Sequence, residues 1–144
     1  METRLIKIQS LLDNVRDNKS GIFSNKPHLV VILNKQLSVL IGDEKIHLSE
    51  FVIAKIKGRI AELQGHPEIM DGIFLLLPIF IQHPQEILRD TRAKDKYLFI
   101  ISNPFVEVVI EVRRIESGKT EINTMHKLNI QELKRLERKF PVVL

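Results

Sequence analysis

Apolar side chains recur at helical spacing at the start, middle and end of this chain, and at strand spacing between. Leu5, Ile6, Ile8, Leu11, Leu12 and Val15 predict an amphipathic helix over residues 3–16, stopped by the turn-rich Asp17–Gly21. Two short β-branched runs, Leu29–Leu33 and Leu37–Ile41, flank Asn34-Lys35-Gln36 and predict a hairpin, with Gly42-Asp43 as the next turn. Ser49 is placed to cap a helix, with Leu48 and Ile53 as its hydrophobic staple. Val52, Ile53, Ile56, Ile60 and Leu63 form its apolar stripe, and Gly65 ends it. His66-Pro67 opens the next helix, because proline is favoured at the first helical position. The apolar residues from Ile73 to Ile81 surround that helix and are expected to be buried, with a kink or a split at Pro78. Pro84 restarts the chain, and Gln85–Leu88 are expected to form one more turn.

Beyond a charged connector, Arg89–Lys96, the period changes to two. Tyr97–Ile101 predicts a strand that Asn103-Pro104 stops. In the next run Val106, Val108, Ile110 and Val112 share one face, while Glu107, Val109 and Glu111 share a wetter one. Glu116-Ser117-Gly118 makes the hairpin turn, and the return strand puts Thr120, Ile122, Thr124 and His126 on one face. Asn129 with Glu132 resembles a capping box at the head of a last helix through Lys139. That helix is expected to bury Ile130, Leu133, Leu136 and Phe140 and to expose Lys134, Arg135, Arg138 and Lys139. The class is α+β: N-terminal helices and a hairpin, then a curved antiparallel sheet of about four strands, and a C-terminal helix. Helices on one face of such a sheet leave the other open as a groove.

At 144 residues and 44% hydrophobic content the chain is expected to form one domain with a sizeable core. It has no cysteine, so disulfides, thiolate metal sites and cysteine nucleophiles are excluded. The five histidines lack metal-ligand spacing, so neither a metal nor another cofactor is expected. The first residues lack the basic-then-apolar order of a secretory signal, and no apolar run is long enough for a bilayer; a cytoplasmic protein without membrane contact is the expectation. No glycine-rich phosphate loop or serine elbow is present. The net charge of +4 is unevenly placed: residues 1–88 hold 10 basic and 10 acidic side chains, whereas residues 89–139 hold 12 and 8. A basic excess there suits a polyanion such as nucleic acid, and equally serves solubility.

The order Leu48-Ser49, His66-Pro67-Glu68-Ile69, Pro78, His83-Pro84-Gln85-Glu86-Ile87, Arg92, Tyr97-Leu98, Val106–Val112 and Thr124 resembles the phage- and toxin-associated nuclease domains of the barnase–EndoU–colicin–RelE superfamily. The likeness covers residues 46–140, with residues 1–45 as a lead-in helix and hairpin. It implies a metal-independent ribonuclease fold, with active residues on a four-stranded sheet and a neighbouring helix. It further implies RNA as substrate, a toxin or mobile-element setting, and an inhibitor or antitoxin partner. Its motif positions fall on His66, on Arg92 (or Lys94 or Lys96) and on Thr124. His126, two residues after Thr124, stands where many relatives carry an aromatic residue.

The chemistry can be stated without the family. RNA cleavage by internal transfer needs a base for the 2′-hydroxyl, an acid for the leaving 5′-oxygen and cations for the phosphorane. Two histidines, or a histidine and a carboxylate, can move those protons near neutral pH. His66 and His126 are therefore candidates for acid and base, Thr124 for orienting a non-bridging oxygen, and Arg92 for charge. Lys94, Lys96 and Arg113 are the further phosphate-binding candidates. Each has a plainer role: His66 as a helix cap, His126 as a strand-end residue, Arg89–Lys96 as a solvated connector. Glu107 and Glu111 are a charged strand face before they are catalytic carboxylates. The alternative function is a non-catalytic nucleic-acid- or protein-binding module of the same fold. A partner-bound antitoxin or assembly subunit would instead expose a large apolar patch.

Overall fold

The computed structural model describes residues 5–62, 67–102, 104 and 107–144, and of residues 59–62 and 67–70 the backbone alone. Its elements are α1 (Ile8–Asp17), β1 (His28–Ile32), α2 (Lys35–Ile41), β2 (Lys45–Leu48), α3 (Glu50–Glu62), α4 (Pro67–Phe80), β3 (Glu86–Arg89), β4 (Lys96–Ser102), β5 (Glu107–Arg114), β6 (Thr120–Lys127) and α5 (Ile130–Lys139). The architecture is α+β, as the periodicity predicts, but the sheet is larger. It has six strands in the order β1-β2-β6-β5-β4-β3, and it is mixed, because β2 runs parallel to β6. β1 and β2 thus join the lead-in residues to the rest in one sheet.

Local signals explain most elements. Ser49 Oγ accepts from Val52 N at 3.2 Å, and Leu48 and Ile53 lie buried in the same core, so the cap and staple of α3 form as expected. Asn129 Oδ1 accepts from Glu132 N at 2.8 Å at the head of α5. Gly118, at φ 88°, closes the β5–β6 hairpin in the left-handed region that glycine tolerates.

Five expectations are corrected. Residues 5–7 are not helical: Ile6 N donates to Leu29 O at 2.8 Å, so this segment lies along β1 before α1 begins. Leu37–Ile41 is a helix and not the second arm of a hairpin. Asn34 caps it by accepting from Leu37 N at 3.0 Å, and Gly42 ends it at φ 82°. The true partner of β1 is β2, which the periodicity did not reveal. Glu86–Arg89 is a strand paired with β4 and not a helical turn. Finally, the apolar surface of α4, which runs through Pro78 to Phe80 as one helix, was expected to be buried and is only partly so. Phe74, Leu77 and Ile81 are fully buried, whereas Leu75, Leu76 and Ile79 are 44%, 46% and 60% exposed. Gly65, Leu63 and Val106 lie outside the described residues, as does the Ile60 side chain.

The sheet has two unequal faces. On one, α1 to α4 bury Leu11, Leu12, Leu37, Ile53, Ile56, Phe74 and Leu77 against Ile46, Phe99, Ile101, Ile110, Val112, Ile122 and Met125. On the other, α5 covers a smaller cluster of Leu88, Leu98, Ile100, Val109, Leu128, Leu136 and Phe140. This second face was expected to stay open, and Val109 to be wet. Ile130, expected in the core, is instead 65% exposed. Among the described residues, no helix is long and apolar enough to cross a membrane.

Candidate functional site

Between α5 and the second face of the sheet lies a cleft of about 220 Å³. Its floor comprises Leu98 from β4, Val109 and Glu111 from β5, and Thr124 and His126 from β6. Asp90 and Arg92 close one side, and Glu132, Arg135, Leu136 and Lys139 of α5 form the opposite wall.

A bulge decides what faces this cleft. In the β5–β6 register Glu111 pairs with Thr124 and Val112 with Ile122, which leaves Asn123 unmatched. The extra residue reverses the alternation of β6. Ile122 and Met125 therefore both reach the large core, and Thr124 and His126 turn to the second face. The expectation that Thr120, Ile122, Thr124 and His126 share one face is thus overturned. Thr120 is buried and donates to Asp43 Oδ2 at 2.7 Å, away from the cleft. Two contacts hold the bulge from opposite faces: Lys55 Nζ of α3 donates to Asn123 O at 2.9 Å, and Asn123 Nδ2 donates to Glu111 Oε2 at 2.7 Å.

A chain of ionic contacts runs from the bulge to the cleft rim. Lys96 Nζ lies 2.6 Å from Glu111 Oε1 and 3.1 Å from Asp90 Oδ2. Asp90, fully buried, also accepts from the backbone N, Nε and Nη2 of Arg92 at 3.0–3.1 Å. The Arg92 side chain, next to backbone N–H and Lys96, holds the Asp90 carboxyl well below the usual carboxylate range despite burial. Burial works against the Lys96 ammonium, but Glu111 and Asp90 outweigh it and raise its pKa. The Arg92 guanidinium also sits over the Phe140 ring, 4.9 Å from its centroid. Opposite, His126 Nε2 meets Glu132 Oε1 at 2.9 Å. An ionised carboxylate only accepts, so the neutral imidazole carries its proton on Nε2 and leaves Nδ1 as the basic nitrogen.

The structure thus brings Arg92, Thr124 and His126 to one cleft, with Lys96 bonded beneath its rim. Lys94 is exposed in the β3–β4 turn and is not among the residues lining this cleft, and Glu107 is exposed at the start of β5. Arg113 lines a separate cleft of about 220 Å³ beside the β5–β6 hairpin, with Val52, Glu121 and Asn123. His66 lies outside the described residues. Among the described residues no group of three His, Asp or Glu side chains gathers to hold a metal ion.

Sequence reasoning missed Asp90 and the role of Glu132. Asp90 had only a weak signal, an Asp within a charged connector being a common turn former, and in the structure its Oδ1 accepts from the N–H two residues on. Glu132 was assigned to a capping box, but its carboxylate turns to His126 while only its N–H serves the cap.

The chain matches no protein-family model, no curated protein and no solved structure.

Proposed function

We propose that the cleft under α5 binds an RNA phosphodiester and cleaves it by internal attack of the 2′-hydroxyl, without a metal ion. The observation that carries this reading is the convergence of Thr124, His126 and Arg92, with Glu132 on the far nitrogen of the His126 ring. His126 Nδ1 takes the 2′-hydroxyl proton, and Glu132 stabilises the imidazolium that results. The O2′–P bond forms as the P–O5′ bond breaks, leaving a 2′,3′-cyclic phosphate. The leaving 5′-oxygen takes a proton from a second acid, the role assigned to His66. Arg92 and Lys139 offset the phosphorane charge, and the Thr124 hydroxyl donates to a non-bridging oxygen. A cytoplasmic toxin or mobile-element effector held in check by an inhibitor protein belongs to the same proposal.

A second reading has its own observation. Arg92 and Lys96 are already engaged by Asp90 and Glu111. A cleft with its cations so occupied suits a module that binds nucleic acid without cutting it. Incubating the purified chain with RNA in EDTA separates the two. Cleavage to cyclic-phosphate ends is expected, slowed about 10²–10⁴-fold in His126→Ala. Binding without cleavage gives the case to the second reading, and full activity in His126→Ala removes the assignment.

A further inference from the structure

Helix α5 carries Lys134, Arg135, Arg138 and Lys139, spaced as two i, i+4 pairs of like charge. At 100° per residue they fill an arc of about 140°, with Leu133, Leu136 and Phe140 opposite. Leu136 and Phe140 are buried on the sheet and Leu133 packs against them, so the arc faces outward and the apolar stripe is unavailable to any other surface. Like charges at this spacing repel, while the helix dipole favours Arg138 and Lys139 in the last turn, so the helix tolerates a concentrated positive face. The acids that could neutralise it are elsewhere: Glu132 is bonded to His126, and Glu137 faces Glu86 of β3. Among the described residues none of the four cations forms an ion pair with a carboxylate. Arg135 and Lys139 line the cleft; Lys134 and Arg138 lie one step around the helix, beyond its rim.

We infer that the outer face of α5 is a track for the backbone of single-stranded RNA, carrying the strand away from the nucleotide held in the cleft. Two rows of cations, with successive members about 6 Å apart along the axis, meet consecutive phosphates of an extended strand. Arg92 continues the track across the cleft mouth: it and Lys139 flank the same Phe140 ring, at 4.9 and 5.5 Å. An unpaired strand can dip to Thr124 and His126 and rise again onto the helix, whereas a paired backbone holds its bases in the stack and cannot make that detour. The inference rests on the cleft as a nucleic-acid site but not on its cutting.

Binding of a 2′-O-methyl oligouridylate of about 12 nucleotides, which resists 2′-hydroxyl attack, tests the track as salt is varied. The intact chain is compared with Lys134→Gln/Arg138→Gln and with the charge-matched Lys26→Gln/Lys35→Gln, two exposed cations of the lead-in half. The α5 pair is expected to weaken binding about tenfold and to lower the slope of log K against log salt by about 1.4, with the control unchanged. Equal losses in both variants would show a diffuse charge effect and overturn the track. So would tighter binding of duplex RNA, or of phosphatidylserine vesicles, than of the single strand. Because this RNA cannot be cut, failure here leaves the cleavage reading intact, and an inactive cleft leaves the track intact.

Discussion

Alternate residues of the same strands build the two faces of the sheet, yet different interactions hold them. Towards α1–α4, Phe99, Ile101, Ile110 and Val112 enter a core closed by four helices, and the burial of apolar area dominates. Towards α5 one short helix covers the strands, and the uncovered remainder is polar: Asp90, Lys96, Glu111, Thr124 and His126. A layer that is closed by packing needs only volume and shape. One that is left partly open must satisfy every buried charge with a specific partner, and such partners are the material of a site.

This contrast can be broken in order of expected effect. Phe99→Ala, fully buried in the large core, should cost about 3–5 kcal/mol in denaturant unfolding, and Leu136→Ala under α5 about 2–3 kcal/mol. The first should unfold the whole chain, whereas the second should also strip the cleft of its wall. Equal costs would mean that the two layers are equally packed.

Asp90→Ala should cost about 3 kcal/mol, because it leaves the Lys96 ammonium beside Glu111 alone and releases Arg92. Its pH dependence has a defined sign. The carboxyl is depressed in the folded chain, so its stabilisation is present above the ordinary value of 3.8 and disappears as pH falls. Urea midpoints measured on acidification should therefore converge for the parent and Asp90→Asn. Parallel curves would contradict the ionic network.

Glu86, at the other end of β3, should behave in the opposite sense. Burial, then Glu137 facing it from α5, pushes its carboxyl up to about 7. Its Oε1 is buried with no donor, so the two carboxyls can share a hydrogen bond only while one keeps its proton. Stability from this pair is complete below the ordinary value of 4.5 and falls as pH rises towards about 7. Glu86→Gln should remove that decline and gain about 1 kcal/mol above neutrality, read from melting curves on either side of it. A decline that persists in Glu86→Gln would place its origin elsewhere.

Much of this was legible one segment at a time. Ser49 with Leu48 and Ile53, Asn129 with Glu132, the apolar run of β4 and the even-position alternation of β5 are local signals, because a cap, a run or a period is read over a few neighbours. Where the reading failed, two local codes competed. Leu37–Ile41 looks like a strand by composition, but Asn34 and Gly42 supply a cap at each end, and the caps prevailed. Glu86–Arg89 is too short to show a period, and became a strand because β4 offered it an edge.

The candidate site shows the same division more sharply. The chain by itself determined that Thr124 and His126 are two residues apart on a strand, and that cations crowd residues 89–139. Only the tertiary structure decided which way they point, because one unmatched residue, Asn123, reverses the face of everything after it. It alone decided, too, that Asp90 and Glu132 would claim Arg92 and His126. Pairing register and charge partners are relations between distant segments, and the energies that choose them appear only once the strands are side by side.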